Sequence, residues 1–262
     1  MIKIENISKT FETNTINEKV ALDDISLVIN DGDFVSVIGS NGAGKSTLLN
    51  AIAGVFSIDK GQIFIDDIDV TNIPEYKRAS YIGRVFQNPL VGTASDMWIE
   101  ENLALANRRG KKRGLKQGIS DEERKQYYEI LKDFDLGLEN RMTTKVGLLS
   151  GGQRQALTLL MATIQKPSLL LLDEHTAALD PKTADKVLQL TDKVVRDNKL
   201  TTFMVTHNMK DALKYGNRLI MMDNGHIILD VSGKEKEKLE VNDLLKKFET
   251  LGGVVNDNMI LN

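Results

Sequence analysis

FVSVIGSNGAGKSTLLN, Phe34 to Asn50, changes character in its middle. Phe34 to Ile38 reads as a buried strand, whereas STLLNAIAG, Ser46 to Gly54, has helical spacing with Gly54 placed to stop the helix. Between them lie Gly39, Ser40, Asn41, Gly42, Ala43, Gly44, Lys45, Ser46 and Thr47. Backbone N–H groups can wrap phosphate oxygens closely only where no side chain intrudes, which gives the glycines at 39, 42 and 44 a physical reason. Lys45 then places a cation on the β and γ phosphates, and Ser46 offers a hydroxyl to magnesium. The helix N-terminus adds its partial positive charge. The ligand expected is a nucleoside triphosphate with Mg2+.

LLLLDE, Leu169 to Glu174, supplies what such a loop needs beside it. Asp173 is expected at the carboxyl end of a buried strand, where open α/β sheets bind ligands, and can hold magnesium through water. Glu174 is then free to polarise a water for in-line attack on the γ-phosphate. His175 follows directly. A third stretch, LSGGQRQAL, Leu149 to Leu157, has Ser150 as a helix cap, with Gly151 and Gly152 exposing N–H groups in the first turn before Gln153. It reads as a second anion-binding helix start.

The rest of the chain fits an α/β core. KIENI, ALDDISLVI, DFVSVI and GQIFID are expected strands in the first 70 residues, and residues 75 to 165 are expected to be mostly helical. Ser120 with Glu123 forms a capping box ahead of Tyr127, Leu131 and Phe134 on one helix face. Ala156, Leu157, Leu160, Met161 and Ile164 mark the inward face of the helix that starts at Ser150. Asp180-Pro181 caps and opens another helix, TTFMVT is a strand, and RLIMM and HIILD form a hairpin around Asp223-Asn224-Gly225. Alternating strands and helices imply a mainly parallel sheet. KEKEKLEVNDLLKKFETL is read as one amphipathic helix with Leu239, Leu244, Leu245 and Phe248 on its apolar side.

In the order GSNGAGKST, LSGGQ, LLLLDE, the three motifs resemble the ATP-binding-cassette (ABC) ATPases over nearly the whole chain. The resemblance implies a P-loop NTPase core with a mainly parallel sheet, an N-terminal antiparallel β subdomain and an inserted α-helical subdomain. It places the ATPase domain at about 1–240, the helical insert at about 90–165 and a C-terminal helix and tail at 235–262. Carried over by motif, Phe11 in SKTF matches the aromatic that stacks on adenine, and Gln87 in VFQNP the glutamine that contacts magnesium and senses a transmembrane partner. Asp180 in ALD matches the D-loop aspartate that couples two active sites. His207 in VTHNM matches the histidine that contacts the γ-phosphate, so Glu174, His207 and Lys45 are the expected catalytic set. His226 reads as a strand-edge residue.

The family also implies an assembly. ATP is sandwiched between the P-loop of one subunit and Ser150 to Gln153 of a second, in a homodimer or pseudo-dimer. Permease subunits and an extracellular solute-binding protein are the further partners of an importer ATPase, which places the chain at the cytoplasmic face of the membrane as a peripheral subunit. DEHTAALDPKTA, with EENLALANRRG upstream, is similar to a bacterial subgroup inferred to import amino acids. The alternative is an ABC ATPase acting on nucleic acid or in cofactor assembly.

Composition narrows these readings. The absence of cysteine excludes disulfides, thiolate metal sites and thiol nucleophiles. A net charge of -3 gives no global attraction to nucleic acid, and no apolar run is long enough to span a bilayer. Six basic residues between Arg108 and Lys116 read as a solvated loop, or as a contact for anionic lipid or the permease. His175 stands where relatives usually have proline. It is either a loop residue that packs or hydrogen-bonds locally, or a protonated ring that lowers the basicity of Glu174.

Overall fold

The structure, a computed structural model, describes residues 1–111, 114 and 118–250. From the N-terminus, β1 (Ile2–Phe11), β2 (Lys19–Ile29) and β3 (Phe34–Gly39) lead into α1 (Lys45–Ala53). Next come β4 (Lys60–Ile65), β5 (Ile68–Asp69), the single turn α2 (Glu75–Arg78) and β6 (Ile82–Val85). Three helices follow, α3 (Ile99–Asn107), α4 (Asp121–Asp133) and α5 (Gly151–Thr163), before β7 (Leu169–Asp173). The chain continues through α6 (Pro181–Asn198), β8 (Thr202–Val205), α7 (Met209–Lys214), β9 (Arg218–Asp223) and β10 (His226–Ser232), then α8 (Gly233–Glu237) and α9 (Val241–Thr250).

The strands form two sheets. One is antiparallel in the order β2-β1-β4-β5. The other runs β10-β9-β3-β8-β7-β6, parallel except for the β9–β10 hairpin at its edge. This is the expected P-loop NTPase architecture. The run of four leucines in β7 has its reason here: Leu169 and Leu171 face a core shared with β1, β2 and α1, and Leu170 and Leu172 face α5 and α6. All four are fully buried, each contributing about 2 kcal/mol of apolar transfer free energy. A strand covered on both faces carries no polar alternation.

Helix boundaries follow their caps. Gly54 ends α1 with φ 79°, Ser120 accepts from the Glu123 N–H ahead of α4, and Asp180 accepts from the Thr183 N–H ahead of α6. Tyr127 and Leu131 of α4 pack with Leu157 and Leu160 of α5 in a separate helical core.

Two expectations need correction. The stretch 75–165 is broken by a strand after α2, because Ile82–Val85 pairs in parallel with Leu169–Leu172. Gly83 permits the contact with α5, since a Cβ there would collide with the Ala162 carbonyl. The C-terminal segment is also two helices rather than one. Lys236 is buried in α8 with Nζ donating to the carbonyls of Tyr215 (2.5 Å) and Gly216 (2.7 Å), and a new cap at Glu240, whose N–H donates to Asp243, begins α9. Leu244 and Phe248 are buried as expected, and Leu239 and Leu245 pack against them. Of the tail call at 235–262, residues 251–262 lie outside the described residues, as do 112, 113, 115 and 116 of the basic run.

Candidate active site

The sheet order decides where the motifs meet. β3, β8, β7 and β6 are neighbours and parallel, so their carboxyl ends lie side by side. Those ends lead into the Gly39–Thr47 loop, His207, Asp173 with Glu174, and Gln87 respectively.

The loop between β3 and α1 needs its glycines for two different reasons. Gly42 has φ +85°, in the left-handed region. Gly44, at φ +100°, packs so closely that a Cβ would meet the Ala21 carbonyl at 2.5 Å. Lys45 is buried inside the turn, its Nζ donating to the carbonyls of Gly39 (2.8 Å) and Ser40 (2.9 Å). Burial pulls its pKa below the usual lysine value, opposed by the carboxylates of Glu174 and Asp173.

In front of this loop is a cavity of about 250 Å3, lined by Phe11, Lys19, Ala21, Asn41, Gly42, Gly44, Lys45, Ser46, Thr47, Glu174 and His207. Glu174 has φ 45°, an uncommon conformation for a residue with a side chain, and its carboxylate Oε1 lies 2.5 Å from His207 Nε2. Asp173 ends β7 with its carboxyl pKa raised by burial, while the Arg84 guanidinium opposes that shift from 3.3 Å. The Ser46 hydroxyl and the Asp173 carboxylate are hard oxygen donors of the kind magnesium takes, so the residues present fit the ion. Phe11 is partly exposed and meets Phe56 edge to face at 5.2 Å.

The structure therefore brings Phe11, Asn41, Gly42, Gly44 to Thr47, Glu174 and His207 to one cavity, with Asp173 adjoining in sequence; Gly39, Ser40 and Ala43 of the loop do not line it. Gln87 is exposed and is not among the residues lining it, nor are Ser150 to Gln153. Those four open α5 in a capping box, Ser150 Oγ accepting from the Gln153 N–H and Gln153 Oε1 from the Ser150 N–H, both at 3.3 Å. Gly152 has a second reason to be glycine: a Cβ there would collide with Cγ2 of Thr183 in the first turn of α6. Asp180, the cap of α6, is exposed.

His175 is not a loop side chain in solvent. It is 2% exposed, with Nε2 3.1 Å from Thr191 Oγ1 of α6. Because the Thr191 hydroxyl donates to the Val187 carbonyl (2.8 Å), its oxygen accepts from the ring, which places a proton on Nε2. Burial lowers the ring's pKa to about 4, so it carries no charge in the ordinary histidine range and cannot act on Glu174 as a cation there. The packing role holds and the charged role does not.

Sequence reasoning missed two cations. Arg84, in the middle of β6, stacks over Phe86 at 4.5 Å and donates to Asn50 of α1 (2.6 Å) and to Asp173. A basic residue inside IGRV, aimed at the strand that carries Asp173, was the available signal. Lys19 opens β2 at the rim of the cavity.

Comparison with known proteins bears directly on this arrangement. The sequence profile of the ABC transporter family matches residues 22–177, from the second strand to just past Glu174. The chain belongs to the ABC transporter family. A tyrosine transport ATP-binding protein of Clostridioides difficile is 50% identical, the match covering 95% of this chain and 99% of that relative. An energy-coupling factor transporter ATP-binding protein of Clostridium acetobutylicum is 34% identical over 94% of this chain and 84% of its own. Among solved structures, a dimeric ATP-binding cassette in a post-hydrolysis state with ADP and Pi superposes with TM-score 0.75 at 32% identity, covering 88% of this chain and 98% of that one. This ABC transporter chain is an ATPase subunit that binds and hydrolyses ATP. No described helix is long and apolar enough to cross a membrane.

Proposed function

We propose that the chain powers import of a small solute of the amino-acid type through separate permease subunits. The observation that carries the catalytic part is the Glu174–His207 pair at 2.5 Å facing the cavity of the Gly39–Thr47 loop. In this reading Phe11 stacks on adenine, the loop amides and Lys45 hold the phosphates, and Glu174 orients a water in line with the γ-phosphate. His207, hydrogen-bonded to Glu174, contacts the γ-phosphate on its other side. Ser46, Gln87 and, through water, Asp173 would hold magnesium, which neutralises charge on the phosphates when bound. Hydrolysis transfers the γ-phosphoryl group to that water, releasing ADP and phosphate.

The dimeric relative supports closure of a second subunit's Ser150 to Gln153 over the nucleotide, with Asp180 at the seam. A groove of about 410 Å3 between Arg84, Phe86, Val91, Leu105, Arg109 and Met161, with Leu90, Val91 and Leu105 exposed around it, is the surface we assign to the permease. Phe86 in its lining directly precedes Gln87 in the chain, and in this reading the groove faces the cytoplasmic side of the membrane. The amino-acid cargo, and the solute-binding protein that would deliver it, rest on the tyrosine transport relative.

Glu174→Gln tests the catalytic assignment. The variant should bind ATP, lose turnover by at least about a hundredfold and accumulate as an ATP-bound dimer. Near-normal hydrolysis would overturn the role of Glu174. Uptake of labelled tyrosine by cells carrying the chain with its permease, lost in the same variant, tests the cargo.

A further inference from the structure

Phe11 and Lys19 are cross-strand partners at the end of the β1–β2 hairpin, Phe11 closing one strand and Lys19 opening the next. The hairpin thus presents an aromatic ring and an ammonium side by side at the rim of the nucleotide cavity. The ammonium reaches over the phosphate loop. Lys19 Nζ lies 3.1 Å from where a Cβ on Gly42 would stand.

Two neighbouring lysines show what is different about this one. Lys45 has its ammonium turned into the loop, on the carbonyls of Gly39 and Ser40. Lys9 is paired with Asp59 at 2.8 Å. Among the described residues the Lys19 ammonium has no hydrogen-bond or ion-pair partner; the adjacent Glu18 carboxylate is engaged by the Asn14 N–H at 2.7 Å. An uncommitted cation at the lip of a polyphosphate cradle has an evident counter-ion in the ligand itself.

We propose that Lys19 is a nucleotide contact, its ammonium binding the polyphosphate from the outer side of the Gly39–Thr47 loop. It makes affinity depend on phosphate charge, where Phe11 makes it depend on the base. The proposal rests on the nucleotide-site reading above and adds a residue to it. Lysine suits the role because a flexible stem lets one point charge follow the phosphates as they rearrange.

The test is equilibrium binding of ADP and of adenosine, neither of which is hydrolysed, to wild type, Lys19→Gln, Lys19→Arg and Lys45→Ala. Loss of one partly exposed charge-assisted contact should weaken ADP about five- to tenfold in Lys19→Gln and leave adenosine unchanged. The dependence of ADP affinity on salt should become shallower, and Lys19→Arg should restore most of the affinity. Unchanged ADP affinity in Lys19→Gln, with Lys45→Ala impaired, overturns the proposal and leaves the site intact. Equal losses for ADP and adenosine, or no rescue by arginine, overturn it by pointing to the hairpin's shape instead of the charge. Wild-type ADP binding in Lys45→Ala would instead sink the site reading itself.

Discussion

Lowering the pH from 7.5 to 5.0 should cost the folded chain about 2 kcal/mol through His175 alone. The ring is buried against α6, and its pKa lies at about 4 when folded against 6.5 when free. Unfolded chains therefore take up this proton first. The contribution is fully present above pH 6.5, falls as the pH drops, and reaches a loss of about 3 kcal/mol near pH 4. His175→Gln isolates the term, since the amide can still donate to Thr191 yet does not titrate. Urea unfolding of both proteins at the two pH values is the assay, the quantity of interest being the difference in their pH dependence. The variant is expected to lose about 2 kcal/mol less than wild type on acidification, while the ATPase pH profiles between 6 and 8 coincide. Parallel loss of stability in both proteins would refute the reasoning, because the ring would then not be held neutral by burial.

Other consequences can be checked by similar means. Gly152→Ala should destabilise by about 1–3 kcal/mol through the clash with Thr183 Cγ2, and Thr183→Ser in the same chain should recover most of it in a double-mutant cycle of melting curves. Arg84→Met should cost about 1–3 kcal/mol in urea titrations, since Asn50 and Asp173 lose their partner in a half-buried setting; an unchanged midpoint would mean the guanidinium is not holding β6 to β7 and α1. Lys45→Ala should lower ATP affinity at least about tenfold in equilibrium titration with the fold retained, because its neighbours in the loop are backbone carbonyls that tolerate solvent.

How far the sequence reaches is visible in particular residues. The strand before Gly39, the run Leu169–Leu172 and the caps at Gly54, Ser120, Ser150 and Asp180 are all local signals, each a side chain acting on its own backbone or a strand buried on both faces. β6 was missed because four residues containing glycine and arginine have no strand periodicity; its order comes from pairing with Leu169–Leu172, far along the chain. The break between α8 and α9 was missed because the apolar spacing runs through it, whereas the cause is Lys236 reaching carbonyls at 215 and 216. His175 looked like a loop residue next to chemistry until α6 covered it. Lys19 belongs to the same class: its position matters only because β2 brings it back beside Phe11.

The adjacency of β3, β8, β7 and β6 also sets a timetable. Parallel neighbours cannot be joined by tight turns, so each motif waits for a long connection to close before it meets the next. The Gly39–Thr47 loop is synthesised early, Asp173 and Glu174 much later, and His207 later still. Among the described strands β3, which leads into the phosphate loop, pairs only with β8 and β9, so the loop lacks both sheet neighbours of its strand until the segment around His207 has been made. The loop, Glu174 and His207 therefore all draw their support from strands made late in the chain.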